Sequence, residues 1–292
     1  RAYHALPPFK AKDGTPTNVV YGYISMLNKV LVDFHPEYLV SCFDTPKPTF
    51  RNKLFKEYQS QRPKIENDFI VQIPLVKQAL DAAGVERIEK DGFEADDIIG
   101  TITKIFETNN FRVIILTGDK DIFQLITENV YVAAPQLGLV NVKIFDKSEV
   151  EKKLEILPNQ IIDYKALVGD PADNYPGAKG IGPKTASKLI HQFKTVDKIY
   201  ENLEKIESEK VKEILKNEKE NVFLSKKLAT IKIDVDIFLD IEKFKFKNFK
   251  NELMGFLNKY QMDSLSRRIF KVKEVPKKIE EKKSANDQIG LF

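Results

Sequence analysis

Short apolar runs that stop at acidic residues alternate along this chain with longer stretches whose apolar positions recur every three or four residues. The run from Glu37 to Phe43 ends at Asp44 before a Thr-Pro-Lys-Pro turn, and the run from Arg112 to Thr117 ends at Gly118-Asp119-Lys120-Asp121. Both read as buried strands with carboxylates at their ends, and Val130 to Ala134 reads as a third strand. Between the first two, Asp68 to Ala83 carries Ile70, Ile73, Val76 and Leu80 at helical spacing, and Ala95 to Phe106 carries Ile98, Ile99, Ile102 and Ile105. Pro74 lacks an amide hydrogen and predicts a kink or an earlier break in the first of these helices. Strands alternating with helices predict a parallel sheet covered by helices, with ligands at the carboxyl ends of the strands.

After about Lys147 the strand pattern fades into short helices, beginning with Glu149 to Leu154 and Pro158 to Val168, and the chain reads as mostly α to about Tyr260. The expected organisation is an α/β domain over 1–150, a mostly α lobe over 151–265 and a mobile tail over 271–292 rich in Lys, Glu and small polar residues. With 42% hydrophobic and 31% charged residues, the 292-residue chain can bury a real core, which excludes disorder, collagen and coiled coil. Cys42 stands alone and excludes an internal disulfide. No apolar run approaches the roughly 18 residues of a membrane helix, so the expectation is a cytosolic protein with no membrane partner. The net charge of +4 is mild, and any nucleic-acid partner must be argued from where the charges sit. The chain opens on Arg1-Ala2-Tyr3-His4-Ala5, which reads as the interior of a domain with residues missing upstream.

Carboxylates gather where strands end or helices begin: Asp44, then Glu94, Asp96 and Asp97, then Asp119 and Asp121, then Asp170 and Asp173. Any one pair could be a helix cap or a turn. Four such groups converging would repel and raise one another's pKa unless a cation compensated them. Oxygen ligands without a His or Cys cluster point to Mg²⁺ or Mn²⁺, and two such ions roughly 4 Å apart would suit phosphodiester hydrolysis.

Two basic segments flank these acids. Residues 47–64 carry a net +5, with Lys47, Arg51, Lys53, Lys56, Arg62 and Lys64 interleaved with Phe50, Phe55 and Tyr58. Cations for phosphates beside aromatic faces for bases suit a single-stranded nucleic acid, although a solvated helix with buried Phe residues would look alike. Gly177-Ala178-Lys179-Gly180-Ile181-Gly182-Pro183-Lys184-Thr185-Ala186 makes a tight turn at a helix start, suited to a phosphate, but misses the P-loop spacing. It resembles the helix-hairpin-helix signature, and residues 177–198 carry five Lys against one Asp.

Taken in order, Arg1-Ala2-Tyr3-His4-Ala5, Phe43-Asp44, Gly92-Phe93-Glu94-Ala95-Asp96-Asp97, Thr117-Gly118-Asp119-Lys120-Asp121, Gly169-Asp170 with Asp173-Asn174, Gly177 to Ala186, and Leu228 to Ile231 resemble the 5′ nuclease domain of bacterial DNA polymerase I. These are relatives of flap endonucleases. The resemblance implies a PIN-like α/β fold: a central, mostly parallel sheet, a helical arch over 47–64, and a helix-hairpin-helix lobe. It also implies cleavage of 5′ flaps and 5′ ends with two Mg²⁺ or Mn²⁺ ions, in Okazaki-fragment processing and repair. By the same resemblance Asp44, Glu94, Asp96 and Asp119 form a tighter metal site with Asp97 close by, and Asp121, Asp170 and Asp173 a looser one. Arg1, Tyr58 and Arg62 contact the scissile region. Arg51, Lys53, Gly177, Lys179, Gly180, Gly182, Lys184 and Thr185 meet DNA, with K⁺ assisting the hairpin. The family carries one further metal-binding Asp upstream of Arg1. Gln59 stands where the arch motif has Lys, and Lys56, one turn away, is expected to compensate. Gln288-Ile289-Gly290-Leu291-Phe292 resembles a peptide that docks on the bacterial sliding clamp. Two rival readings are an inactive flap-binding module and a small-molecule phosphohydrolase built on Asp119-Lys120-Asp121.

Overall fold

The computed structural model describes residues 2–63, 66–136 and 142–270. Its strands are β1 (Val40–Cys42), β2 (Glu86–Ile88), β3 (Val113–Leu116), β4 (Val130–Pro135) and β5 (Val142–Phe145). β1 and β2 pair in parallel, β3 pairs in parallel with β4, and β5 runs antiparallel to β4. The expected α/β architecture with mostly parallel strands is therefore present, its strands shared between a two-stranded and a three-stranded sheet.

Helix Ala95–Thr108 joins the two sheets. Ile98, Ile102 and Phe106 lie on one helical face and are buried against Val40 and Cys42 of β1, Ile88 of β2 and Val113 of β3. Gly100 lets the stretch Ile231–Ile233 cross this helix closely: a Cβ there would stand 2.8 Å from the Lys232 carbonyl oxygen. The apolar periodicity of Asp68 to Ala83 divides into two helices, Asn67–Ile70 and Gln72–Ala83. Pro74 falls in the first turn of the second, where its missing amide hydrogen costs no helical bond.

Two larger cores flank this centre. In one, Val20, Ile24 and Leu27 of helix Asn18–Phe34 pack against Val76, Ala79 and Leu80 and against Leu253, Leu257 and Leu265. Residues 246–265, expected within the second lobe, thus bury their apolar side chains on the helices of the first part. In the other core, Ile115, Val130, Val132 and Phe145 of the second sheet share a hydrophobic cluster with Leu167, Leu189, Ile190 and Ile199 of the helices that follow. The segment expected as an arch is helical over Phe50–Leu54 and continues in turns, and Lys64 lies outside the described residues. Among the described residues no helix is long and apolar enough to cross a membrane.

Candidate active site

Each acidic group reaches the same place by a different local route. Asp44 follows the end of β1, and its Oδ1 accepts from the Ala95 amide at 2.7 Å, tying the strand end to the first turn of helix Ala95–Thr108. Asp119 follows β3 by three residues and folds into a turn, accepting the Asp121 amide at 2.9 Å. Asp170 and Asp173 sit on a tight loop closed by hydrogen bonds of 3.0 and 3.1 Å between the backbones of Asp170 and Tyr175. That loop depends on two glycines in left-handed conformation, Gly169 and Gly177; a Cβ on Gly177 would stand 2.3 Å from the Gly169 nitrogen.

Asp44, Glu94, Asp96, Asp119, Asp121 and Asp173 all line one pocket of about 330 Å³. Asp170 completes a second grouping, since oxygens of Asp121, Asp170 and Asp173 lie within 4.8 Å of one another. Burial, then the charges of Asp119, Glu94 and Asp44, push the Asp96 carboxyl up to about 8. Burial pushes Glu94 up to about 7 against the opposing pull of Arg51, with Asp97, Asp173 and Asp44 adding to the rise.

Three expected site residues are placed differently. Arg51 is 2% exposed and donates to both oxygens of Asp97, at 2.7 and 2.8 Å, and to the carbonyls of Leu228 and Thr230, each at 2.9 Å. A guanidinium so enclosed has no face left for DNA. Asp97 is fully buried, and its oxygens also accept from the amides of Glu94 at 3.0 Å and Lys232 at 2.8 Å, which fills its acceptor capacity. Together they tie the basic segment, the first turn of Ala95–Thr108 and the end of helix Lys219–Ala229 into one joint. Gly177 is likewise buried, its amide donating to Ser225 Oγ at 3.0 Å, so it shapes the hairpin without offering an N–H to a phosphate.

The basic segment meets the acidic loop directly. Tyr58 is buried and donates to Asp173 Oδ2 at 3.1 Å; burial and the charges of Glu94 and Asp173 raise its pKa, so the phenol stays protonated. Arg62 pairs with Asp173, the Gln59 amide donates to the Asp173 carbonyl at 2.9 Å, and Asn174 donates to Glu57 O and Ser60 Oγ at 2.8 and 3.0 Å. The Gln59 side-chain nitrogen lies 3.5 Å from Glu94 Oε1. Lys56, expected to stand in for the cation that Gln59 lacks, is exposed and does not line the pocket. Lys47, Arg51 and Arg62 line the pocket, and behind it a further cation, Lys165, pairs with Asp121 and, at 2.6 Å, with Asp170. Its signal in the sequence is the lone Lys of helix Ile161–Val168, five residues before Asp170. Asn174, adjacent to Asp173, was also missed.

Lys53, Lys179, Gly180, Gly182 and Lys184 are exposed and Thr185 partly so, the last four around the start of helix Pro183–Phe193. Arg1 and Gln288 to Phe292 lie outside the described residues.

The model of the 5′-3′ exonuclease N-terminal, resolvase-like domain matches residues 1–155, and that of the 5′-3′ exonuclease C-terminal SAM fold matches residues 156–252. A 5′-3′ exonuclease of Aquifex aeolicus is 40% identical over 273 residues, covering 93% of this chain and 92% of the relative. DNA polymerase I of Bacillus subtilis is 40% identical over 252 residues, covering 86% of this chain, and the chain spans only 29% of that protein. The flap endonuclease of bacteriophage T5, solved in complex with DNA and metal ions, shares the fold with a TM-score of 0.61 at 18% identity, over 86% of this chain and 90% of the other.

Proposed function

Because this chain belongs to the 5′-3′ exonuclease family, we propose that it is a divalent-metal-dependent nuclease that hydrolyses DNA at 5′ ends and 5′ flaps, with the acidic pocket as its catalytic centre. The observation that carries this reading is the convergence of six carboxylates on one pocket beside the basic segment. A carboxyl held at about 8 at Asp96, and one held at about 7 at Glu94 even with Arg51 at 3.2 Å, mark a site that favours an added cation. An all-oxygen donor set fits Mg²⁺ or Mn²⁺.

Asp44, Glu94, Asp96 and Asp119 would hold one ion and Asp121, Asp170 and Asp173 the other. Bound there, the ions would supply positive charge to the scissile phosphate and acidify the attacking water. The chain's own groups do the rest. Asp97 and Arg51 act behind this layer, fixing Glu94 and the first turn of helix Ala95–Thr108. Tyr58 offers a neutral donor and Arg62 a fixed positive charge at the pocket mouth, where a phosphate oxygen could exchange for Asp173. Arg1 would join them. Lys53 and Lys56 track the single strand. Gly180 and Gly182, with Lys179, Lys184 and Thr185, grip duplex backbone at the start of an eleven-residue helix, with K⁺ as an aid to the hairpin. Gln288 to Phe292 would dock on a sliding clamp, a reading that rests on those five residues and fails if Leu291→Ala with Phe292→Ala leaves clamp binding unchanged.

The decisive assay compares a 5′-flap duplex, a 3′-flap duplex and a phosphomonoester, in Mg²⁺ and in chelator. Cleavage of the 5′ flap alone, abolished by chelator, is expected. Tight binding without cutting in Mg²⁺ would reduce the protein to a flap-binding module, and phosphomonoester turnover without DNA would make it a small-molecule phosphohydrolase.

A further inference from the structure

Lys165 projects from the last turn of helix Ile161–Val168 into the grouping of Asp121, Asp170 and Asp173, and its side chain is 16% exposed. Its ammonium bonds two of these three carboxylates, Asp170 at 2.6 Å and Asp121 at contact distance. A divalent ion takes carboxylate oxygens at about 2.0–2.6 Å, so an ion drawing on the same oxygens would stand within a few ångströms of this ammonium and the two cations would repel. Two further observations bear on where the ammonium goes. The Lys165 backbone is fixed, its carbonyl accepting from the Gly169 amide at 2.8 Å, which leaves the four-carbon stem as the movable part. The Tyr175 ring centre lies 6.0 Å from Lys165 Nζ, and the Tyr175 phenol oxygen is buried, makes no hydrogen bond of ordinary length and already lies within electrostatic reach of the Lys165 ammonium. A buried orphan hydroxyl is costly, and here it stands as an acceptor ready for a displaced ammonium.

We propose that Lys165 is a built-in counter-cation that competes with a divalent ion for Asp121, Asp170 and Asp173, and that it withdraws toward Tyr175 when the ion enters. The inference rests on the reading of this pocket as a metal centre. It makes the second ion the weaker one by design: the metal-free cluster is already partly compensated, and the ion must displace a resident charge. Arg62, paired with Asp173 from the opposite side, leaves that carboxylate compensated too.

The sign of one substitution separates this role from a structural one. If Lys165 merely tied its helix to the Asp170 loop, removing it would loosen the carboxylates and weaken the ion. A competitor, once removed, strengthens it. Mn²⁺ binding to the full chain without DNA, followed by calorimetry or by the spin resonance of free Mn²⁺, reads this directly. Lys165→Met, similar in length and uncharged, is expected to tighten the weaker Mn²⁺ by about tenfold or more, since a unit charge at contact distance is removed. Lys165→Arg is expected to stay near the wild type, and Tyr175→Phe to weaken the second Mn²⁺ severalfold. Equal or weaker second-ion affinity in Lys165→Met overturns the proposal. If that variant does not fold, an unchanged affinity in Tyr175→Phe overturns it instead. Asp121→Asn keeps the two readings apart: a second Mn²⁺ that binds the wild type and is lost in Asp121→Asn upholds the metal centre whatever Lys165 does. No second Mn²⁺ in any of these proteins overturns both.

Discussion

On the strand side of the pocket, Asp44, Glu94, Asp96 and Asp119 line one wall, and the guanidinium beside them, Arg51, gives its two short bonds to Asp97 and reaches only Glu94 of the four, at 3.2 Å. On the side of helix Ile161–Val168, Asp121, Asp170 and Asp173 each touch Lys165 or Arg62. The same residue type therefore lives under two regimes. Burial and its acidic neighbours drive Asp96 up to about 8, and burial raises Asp121 as well despite the pull of Lys165, whereas Asp170, despite burial, is held below the usual carboxylate range by its hydrogen bond to Lys165. Repulsion that persists on one side is stability given up for a site, and the paired side shows that the chain can neutralise such acids where it is allowed to.

The largest expected effect tests the uncompensated side. Asp96→Asn should reduce single-turnover cleavage of a 5′ flap by on the order of 10⁴-fold, because charge at the scissile phosphate is worth several kcal/mol. The same change should leave the melting temperature in chelator unchanged or higher, since a repelled charge disappears. A large fall in melting temperature would instead group Asp96 with its structural neighbour Asp97.

Next comes the joint behind that side. Arg51→Ala strands Asp97 as a buried, unpaired charge and should cost about 3 kcal/mol or more in urea unfolding. Arg62, whose side chain is 52% exposed, pairs near the surface with Asp173, and Arg62→Ala should cost less than about 1 kcal/mol. Similar losses for the two would break the distinction between a buried joint and a charge at the pocket mouth.

The pH response sharpens the comparison with a smaller effect. Glu94 and Asp96 have raised carboxyl pKa values, so between about pH 4, where an unfolded carboxyl ionises, and about pH 8 the folded state binds more protons than the unfolded one. Their contribution to stability accordingly falls as pH rises through that window. Asp170, with its lowered pKa, contributes the opposite way, with stability present above the unfolded value and lost on acidification. In chelator the melting temperature of Asp96→Asn should fall less between pH 5 and pH 8 than that of the wild type, and millimolar Mg²⁺ should flatten the wild-type slope. Parallel slopes in chelator would mean that Asp96 is not strained.

Much of this was legible in the residues, and the losses have physical reasons. Strand ends at Asp44 and Asp119 and the helix face of Ile98 and Ile102 follow from period and from carboxylates that end apolar runs, although Phe106 rather than Ile105 completes the buried face. β2 was not legible, because Glu86-Arg87-Ile88 has no apolar run and is held by its pairing with β1. The adjacent pair Asp96 and Asp97 look alike in sequence, and only the arrival of Arg51 and the Lys232 amide, 135 residues away in the chain, makes one of them a joint. Lys165 escaped for the same reason: its meaning lies in Asp121, 44 positions back. Charge type is local information, whereas charge pairing is tertiary.

The smallest effect concerns Gln59, the position at which a Lys was expected. Gln59 sits in left-handed conformation at φ 59° with its side-chain nitrogen 3.5 Å from Glu94, and among the described residues of the basic segment the only ammonium that lines the pocket is that of Lys47, which pairs with Asp91 at 2.6 Å. Lys56 points to solvent, so its charge can meet the DNA backbone but not the reacting phosphate. Lys56→Ala should therefore leave the single-turnover rate at saturating enzyme within about twofold, and raise the dissociation constant for the flap severalfold with a shallower salt dependence, as the loss of a phosphate contact does. A large fall in the saturated rate would show Lys56 entering the pocket in the complex and restore it as the substitute for the missing Lys. An unchanged rate leaves the compensating cations to Arg62 and Lys165, the two charges that already hold the opposite wall.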